Sequence, residues 1–236
     1  MKTRSQQTAN GRAIPTEVKD PGLVNRRRRQ IVDAAVQLFI AKGFHKTTTR
    51  ELARAAGLAI GTIYEYVTSK EDVLYLVCEA IHQEVEVRLA ERIPCAGDGA
   101  QALAAAIAAY FRVCDHMSDH ILLIYQETKS LTRESMRFVL DHELRITGVF
   151  AELLRQGVAD GSLRGLGSQE LELMAHDIMV LGHMWTFRRW ALRGGFSLEQ
   201  YIAQQSQLIL GALTPSAPGS QKCLPNPGAT QRRDQP

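Results

Sequence analysis

The sequence predicts an all-α protein, and three features of its pattern support this. Apolar residues recur at helical spacing through most of the chain. No alternating run of β-branched residues and no Asn-Gly hairpin signal interrupts that spacing. Capping residues and glycines divide the pattern into segments of helical length, without an internal repeat. We therefore expect about nine helices, with three shorter helices first and longer ones after them.

The first three helices are expected between residues 27 and 67. The first runs from about Arg27 to Lys42, where apolar residues recur three and four positions apart. The second begins near Thr49, with Thr48 or Thr49 as its N-cap, and ends before Gly57. The third is short and covers about Ile60 to Val67.

Longer helices are expected in the rest of the chain. Ser69, followed three residues later by Asp72, resembles a capping box and opens the fourth helix. Glycines, a proline and short polar stretches separate the later segments. The predicted ranges are Ser69–Arg92, Ala100–Met117, Ile121–Lys129, Arg133–Ala159, Ser168–Leu192 and Ser197–Leu213.

Positive charge is concentrated at the N-terminus. The formal net charge is +3, yet residues 1–30 hold eight Lys or Arg against two Asp or Glu, which leaves −3 for the remainder. A basic arm of this kind favours a polyanionic partner, because neutralising phosphates drives nucleic-acid binding. A merely solubilising tail is the alternative.

Composition also argues against several classes of protein. The longest alanine-rich apolar stretch, Ala102–Ala109, is shorter than the roughly 20 residues that a membrane span needs. The four cysteines lack CxxC spacing, and His116 and His120 have no third ligand at matching spacing. We therefore expect a cytoplasmic protein with reduced thiols, no membrane association, no metal and no cofactor.

Residues 48–70, TTRELARAAGLAIGTIYEYVTSK, carry the most informative motif. They predict two short helices joined by a tight turn, in which Gly57 allows a positive φ. Leu58, Ile63 and Val67 can pack beneath the turn. The second helix can then enter a DNA major groove about 12 Å wide. The residues that stay available on it are Ile60, Gly61, Thr62, Tyr64 and Tyr66.

This helix-turn-helix resembles the DNA-binding signature of TetR/AcrR transcriptional regulators. The matching run is T-x-x-x-L-A-x-x-A-G-x-x-x-G-T-I-Y-x-Y-V-x-S-K-E-D-V-L, preceded by I-V-x-A-A-x-x-L-F-x-x-x-G. It covers about residues 27–76, whereas residues 77–213 match only the general layout of the family. The resemblance implies a homodimeric repressor that binds a palindromic double-stranded DNA operator and is released by a small apolar effector.

Four regions follow from the motif and from the composition of the ends. Residues 1–25 are expected to be a disordered basic arm, and residues 26–71 a helix-turn-helix DNA-binding domain. Residues 72–213 are expected to form a ligand-binding and dimerisation domain. Residues 214–236, rich in Pro, Gly, Ser and Gln, are expected to be a disordered tail.

The resemblance also implies which residues meet DNA. It gives Thr48 and Thr49 capping and phosphate contacts, and Lys70 a phosphate contact at the start of the fourth helix. Half-buried aromatic residues at Tyr64 and Tyr66, and a solvated lysine at Lys70, are the alternatives. The full implied set is Thr48, Thr49, Arg50, Ile60, Gly61, Thr62, Tyr64, Tyr66 and Lys70.

The chain departs from the family pattern at two positions. Ala59 occupies the place where Ser or Thr usually caps the third helix, so an N-cap of roughly 1 kcal/mol is missing. Val67 occupies the place of a usual Phe, which shrinks a core contact. The first departure leaves open a helical scaffold that no longer binds DNA.

Polar residues within the apolar helices are the candidates for effector contact. A largely apolar pocket is expected among Ala100–Met117, Ile121–Lys129 and Arg133–Ala159. For each candidate, a structural or surface role is the alternative. The candidates are Tyr125, Glu127, Arg133, His142, His176, His183, Trp185, Arg188 and Arg189.

A second resemblance concerns the effector. Gly182–Trp190 and Tyr125–Ser130 are similar to regulators of fatty-acid degradation that respond to long-chain acyl-CoA thioesters. That similarity implies an acyl-CoA effector, with Arg188 and Arg189 near the mouth of an apolar tunnel.

The last two long helices are where this family pairs its subunits. Their apolar residues suit such a seam, and intramolecular core is the alternative for each of them. They are Leu171, Met174, Ala175, Ile178, Leu181, Gly182, Ile202, Leu208, Ile209 and Leu213.

An enzyme is the rival class, and the sequence argues against it. There is no GxSxG elbow, P-loop, Rossmann glycine pattern or HExxH motif. No nucleophile, base and orienting residue can be named together. We therefore predict that the chain is not an enzyme.

Overall fold

The structure is a computed structural model that describes residues 12–91 and 97–215. Within these residues the chain forms helices and no strand, which confirms the predicted all-α class. A 3-10 turn at Thr128–Ser130 joins the sixth and seventh helices. The ten α-helices are α1 Pro21–Lys42, α2 Thr49–Ala55, α3 Ile60–Tyr66, α4 Lys70–Ala90, α5 Gly99–His116, α6 Ser118–Glu127, α7 Arg133–Ala159, α8 Ser168–Phe187, α9 Arg189–Leu192 and α10 Leu198–Leu213.

Helices α1, α2 and α3 form a small three-helix unit in which each helix contacts the other two. The apolar spacing of α1 places Ile31 and Phe39 on its inner face, where they are almost fully buried. Leu52 of α2 and Ile63 of α3 are both 0% exposed. Helix α1 also packs along α4, which attaches the unit to the rest of the protein.

Helix α1 begins at Pro21, six residues before the predicted Arg27. The Asp20 side chain caps it by accepting hydrogen bonds from the backbone N–H groups of Gly22 and Leu23. Pro21 lies in the first turn, where a missing N–H costs nothing. Basic composition concealed this start, because the cap comes before any apolar periodicity.

The segment before α1 is ordered from Arg12 onward, so the prediction of a disordered arm is wrong for residues 12–25. Ile14 is buried, and its carbonyl accepts a hydrogen bond from the Arg28 guanidinium at 2.8 Å. The Arg12 backbone N–H donates to the Tyr75 hydroxyl at 2.6 Å. The other calls of disorder, for residues 1–11 and 216–236, lie outside the described residues.

Helices α4 to α10 form the larger unit, with α5, α7 and α8 at its centre. Glycines allow the close approaches between these helices. A Cβ atom added at Gly182 of α8 would lie 2.4 Å from the Tyr110 ring of α5, and one at Gly99 would lie 2.3 Å from the Gly157 backbone of α7. Helix α10 packs on α5 from the outside.

Two further helix ends differ from the prediction. The predicted Ser168–Leu192 helix breaks at Arg188, whose φ of −104° and ψ of 14° separate α8 from the short α9 and give ten helices instead of nine. Helix α6 begins at Ser118, three residues early, and only Met117 separates it from α5.

In the described parts of the chain, no helix is both long and apolar enough to cross a membrane.

Candidate DNA-binding face and effector cavity

The turn between α2 and α3 depends on Gly57. Its φ is +64°, a conformation that glycine adopts without the steric cost of a Cβ atom. The chain then reverses, and the Leu58 N–H donates to the Ala53 carbonyl at 2.9 Å. Leu58 packs partly, and Val67 fully, against the core below the turn, as the spacing predicted.

The start of α2 is held by a capping box. The Thr48 hydroxyl accepts from the Glu51 N–H, and the Glu51 carboxylate accepts from the Thr48 N–H at 2.9 Å, which confirms Thr48 as the cap. Lys42 also donates to Glu51. These hydrogen bonds lower the pKa of Glu51 to about 2, and the one from Lys42 has the largest effect. Thr49 is half-buried and Arg50 is exposed beside this cap.

Helix α3 presents two large apolar side chains to solvent. Ile60 is 46% exposed and Tyr64, one turn later, is 52% exposed. Gly61 lies between them with no atom within 4 Å of the position of a Cβ, and Thr62 is half-buried. Tyr66 is only 4% exposed and belongs to the core, so the prediction that it stays available is wrong for its ring.

The missing cap of α3 is confirmed. Ala59 makes no side-chain hydrogen bond to the helix, and the Thr62 and Ile63 N–H groups donate to its carbonyl. The helix is held mainly by burial of Ile63 and Tyr66.

The Lys70 side chain has structural partners. Its ammonium group donates to the carbonyls of Phe44 and Thr47, each at 3.1 Å, and lies 4.3 Å from the centre of the Phe44 ring. These contacts fasten the start of α4 to the loop between α1 and α2. A phosphate contact by Lys70 stays a prediction.

A mostly apolar cavity lies inside the larger unit. Its volume is about 20 Å³, which is room for about one water molecule. Helices α4, α5, α6, α7 and α8 all contribute to its wall. The lining residues are Ile81, His82, Val85, Tyr110, Ile121, Ile124, Tyr125, Glu143, Ile146, Met179 and His183.

Four polar groups converge on this cavity. The Glu143 carboxylate lies between two imidazoles, with one oxygen 3.8 Å from His183 Nδ1 and the other 4.0 Å from His82 Nε2. The Tyr110 hydroxyl lies 2.9 Å from His183 Nε2, and His82 Nδ1 lies 3.0 Å from the Cys78 carbonyl.

Burial controls the charge of these groups. The pKa of both His82 and His183 is lowered to about 4, for His183 by loss of solvent and for His82 by loss of solvent first and by the nearby His142 second. Burial also raises the pKa of Glu143, although the distant charge of His176 acts the other way. Both imidazoles are therefore neutral near pH 7.

Only two of the nine predicted effector residues line the cavity, namely Tyr125 and His183. The other seven do not line it, and their contact with an effector stays a prediction. His142 is buried beside His82, with ring centres 5.8 Å apart, and Trp185 is buried and donates to Asp115 at 2.8 Å. The remaining five lie at the surface or at helix ends: Glu127, Arg133, His176, Arg188 and Arg189.

Arg188 and Arg189 are not among the residues that line the cavity. Arg188 is exposed and lies over the Trp190 ring, and Arg189 forms an ion pair with Asp119 at 2.8 Å.

Sequence reasoning missed His82, Tyr110 and Glu143. His82 lies on α4, outside the three segments that are expected from the sequence to surround the pocket. Its position three residues before Val85 and one after Ile81 places it on the buried face of α4. Glu143 similarly falls three residues before the buried Ile146, and that spacing could have identified both residues.

A second feature lies on the outer faces of α8 and α10. Most of the nominated seam residues are intramolecular core, as the alternative held, and Ala175, Ile178 and Leu213 are 0% exposed. Leu208, however, is 67% exposed. Leu173 and Val180 on α8 are 63% and 59% exposed. A shallow groove between the two helices runs past Val180 and Leu208.

Comparison with known proteins identifies the family. A model described as "Bacterial regulatory proteins, tetR family" matches residues 31–75, and one described as "Tetracyclin repressor-like, C-terminal domain" matches residues 96–213. The regulator HbdR of Aromatoleum sp. (strain CIB) is 30% identical over 202 residues, covering 86% of this chain and 87% of its own length.

Two further relatives have solved structures. The repressor KstR2 of Mycobacterium tuberculosis is 23% identical over 82% of this chain and 96% of its own, and its structure matches with a TM-score of 0.61. AibR in complex with isovaleryl coenzyme A and operator DNA is 18% identical, with a TM-score of 0.64 over 77% of this chain and 97% of that one.

These relatives are regulators of transcription, which agrees with the prediction that the chain is not an enzyme. The two family models together span the three-helix unit and the larger helical unit. The chain belongs to the tetR family of bacterial regulatory proteins, and its α2–turn–α3 is the helix-turn-helix of that family.

Proposed function

We propose that this chain is a dimeric repressor that binds a palindromic operator through α3 and releases it when an effector enters the cavity. The observation that carries the proposal is the exposed face of α3. Ile60 and Tyr64 each leave about half of their surface in water on a helix of seven residues. Such exposure on the second helix of a helix-turn-helix suits a partner surface, and a thymine methyl or a sugar in the major groove supplies one.

The charge of the surrounding surface supports a DNA partner. Arg50 and Arg54 on α2 are exposed, and so are Arg26 and Arg29 on α1. Such residues neutralise phosphates and position the recognition helix without reading sequence. The scaffold alternative gives no reason for apolar exposure and positive charge on one small unit.

The effector class is proposed as an acyl-CoA thioester. AibR, whose fold this chain shares, was solved with isovaleryl coenzyme A and operator DNA. The lining of Ile81, Val85, Ile121 and Ile146 suits a short branched or cyclic acyl group. Arg188 and Arg189 do not line the cavity, so they carry no part of this proposal.

The small volume of the cavity suggests how binding is coupled to release. A cavity of about 20 Å³ must expand before it admits an acyl group. Helix α4 lines it with Ile81, His82 and Val85, and the same helix begins at Lys70 against the loop before α2. Expansion would displace α4 and change the spacing of the two recognition helices. A coupling of roughly 1–3 kcal/mol is typical of such switches.

Selection of binding sites from random DNA by the full chain tests the proposal. At about 150 mM salt, where nonspecific attraction is weakened, we expect an enriched palindrome. Tyr64→Ala should lower affinity for that site roughly 5- to 150-fold, because a base or sugar contact contributes roughly 1–3 kcal/mol. Trp190→Ala removes a more exposed aromatic residue far along the chain and should leave affinity unchanged. Absence of any enriched sequence with a folded sample contradicts operator binding.

A further inference from the structure

The Glu143 carboxylate has no hydrogen-bond donor among the described residues. Its oxygens lie 3.8 Å from His183 Nδ1 and 4.0 Å from His82 Nε2, beyond the range of a hydrogen bond. The side chain is only 28% exposed and lies in the cavity wall. A carboxylate in such surroundings is costly unless a donor reaches it.

The hydrogen bond of His82 fixes which nitrogen faces Glu143. A carbonyl oxygen can only accept, so the bond to the Cys78 carbonyl requires a proton on His82 Nδ1. In the neutral ring Nε2 then carries a lone pair. The Nε2 lone pair and a Glu143 oxygen, both acceptors, therefore face each other across 4.0 Å.

His183 presents the opposite character. The buried Tyr110 hydroxyl has His183 Nε2 as its hydrogen-bond partner at 2.9 Å, and we assign the proton of this bond to the hydroxyl. The proton of neutral His183 is then on Nδ1, which faces the other oxygen of Glu143 at 3.8 Å. The cavity thus offers two acceptors and one donor, with gaps between them that no side chain fills.

A hydroxyl group matches this set. It donates one hydrogen bond to Glu143, whose charged oxygens are the strongest acceptors in the cavity, and it accepts one from His183. A carboxylate or phosphate would place like charge against Glu143, and a plain alkyl group would leave all three groups unsatisfied. A single water molecule can donate to both Glu143 and His82 and accept from His183, and a ligand hydroxyl would take over two of these three bonds.

We propose that the effector carries an alcohol or phenol hydroxyl on the apolar group that enters the cavity, and that Glu143, His82 and His183 select for it. This inference deepens the proposed function and rests on it. It makes the three polar residues determinants of specificity, and it assigns size and apolar fit to the surrounding isoleucines and Met179.

The test compares ligands that differ only in a hydroxyl. Calorimetry on the full chain would use hexanoyl-CoA and its analogues with a hydroxyl on each successive carbon of the acyl chain. Cyclohexanol and cyclohexanone, of equal heavy-atom count, repeat the comparison without coenzyme A. We expect at least one hydroxylated thioester to bind about tenfold or more tighter than hexanoyl-CoA, and the alcohol to bind tighter than the ketone.

Variants locate the selectivity. Glu143→Leu should abolish the preference for the hydroxyl while binding hexanoyl-CoA at least as well. Glu143→Gln keeps the shape of the side chain, and its amide can donate to His82, so this variant should also lower the preference for the hydroxyl. It serves as the test if Glu143→Leu fails to fold. Glu152→Leu removes an exposed glutamate of the same helix and should leave the preference intact.

Each other outcome contradicts a different statement. Equal binding of hydroxylated and plain ligands, or a preference that survives in Glu143→Leu, overturns this inference and leaves the regulator proposal standing. If the chain binds its DNA site but no thioester and neither cyclohexyl probe, both this inference and the thioester class are wrong. Loss of specific DNA binding alone would contradict operator recognition and not the cavity chemistry.

Discussion

At the scale of single residues, the two cavity histidines link stability to pH. Their pKa is about 4 in the folded chain against an ordinary value of 6.5, mainly because burial penalises the charged ring. Between these values the unfolded chain binds more protons, so stability is lost as pH falls from about 6.5 to about 4. The raised pKa of Glu143 offsets part of this loss, because a proton on Glu143 favours the folded state.

We expect the free energy of unfolding to fall by about 2 kcal/mol per histidine between pH 7 and pH 5, before the Glu143 offset. Urea unfolding at several pH values measures this slope. His82→Gln and His183→Gln should each flatten it, whereas His176→Gln, at an exposed position of α8, should not. An unchanged slope in both cavity variants would show that these rings titrate normally in the folded protein.

Variants of Lys70 and Arg50 distinguish a structural role, expected for Lys70, from a DNA-binding role, expected for Arg50. Lys70 donates to the carbonyls of Phe44 and Thr47, whereas the Arg50 side chain is exposed. Lys70→Met should lower the free energy of unfolding by about 1–2 kcal/mol, because charged donors to these carbonyls are lost. Arg50→Met should leave stability unchanged and reduce the salt dependence of DNA affinity by about one phosphate contact. Denaturation and titration across salt concentrations measure the two effects. If Lys70→Met instead reduces the salt dependence of DNA affinity and leaves stability unchanged, Lys70 leaves the loop to bind phosphate.

At the scale of the helix, close packing of α8 on α5 depends on Gly182. An added methyl there would lie 2.4 Å from Tyr110 and 3.1 Å from the Cys114 sulfur. We expect Gly182→Ala to destabilise the protein by about 1–3 kcal/mol, the usual cost of overpacking a core. Gly148→Ala, in α7 with nothing within 4 Å, should instead add up to about 1 kcal/mol through helix propensity. Thermal and urea unfolding of the pair measures the difference. Equal effects would mean that α5 and α8 part easily.

Helix α4 and Arg12 connect the two units. The Arg12 guanidinium donates to Asp72 at 2.7 Å and to Ser135 at 3.1 Å, so one side chain joins the start of α4 to the start of α7. Burial alone would raise the pKa of Asp72, but hydrogen bonds from Thr68 and Arg12 outweigh it and lower the pKa. Arg12 and Thr68, which both lie outside α4 and α7, therefore hold the first turn of α4 through Asp72.

Helix boundaries and the DNA-binding motif could be predicted because their signals are local. The capping boxes at Thr48 and Ser69 and the positive φ of Gly57 each follow from a few adjacent residues. The cavity could not be located in this way, since His82, Tyr110 and Glu143 come from three helices whose packing no local pattern fixes. The order of the segment that begins at Arg12 was missed for a related reason, because Arg12 is held by the distant residues Tyr75 and Asp72.

At the scale of the whole molecule, we expect the proposed dimer to form through the outer faces of α8 and α10. Leu173, Val180 and Leu208 are all more than half exposed in the single chain. Two recognition helices must be held at a fixed spacing to read a palindrome, so the dimer is a condition of operator affinity and not only of stability.

We expect Leu208→Asp to convert the dimer to a monomer, because a second copy of this face would have to bury the new carboxylate without a partner. Sedimentation at micromolar concentration measures the change. The monomer should keep its helical content, since Leu208 is 67% exposed and outside the core, but it should lose operator affinity at least about a hundredfold as two half-sites become one. Leu144→Asp, at a leucine of α7 that is 55% exposed, should remain dimeric and bind DNA normally. If instead Leu144→Asp dissociates the protein and Leu208→Asp does not, the subunits pair through α7, and the spacing of the recognition helices must be set by that helix.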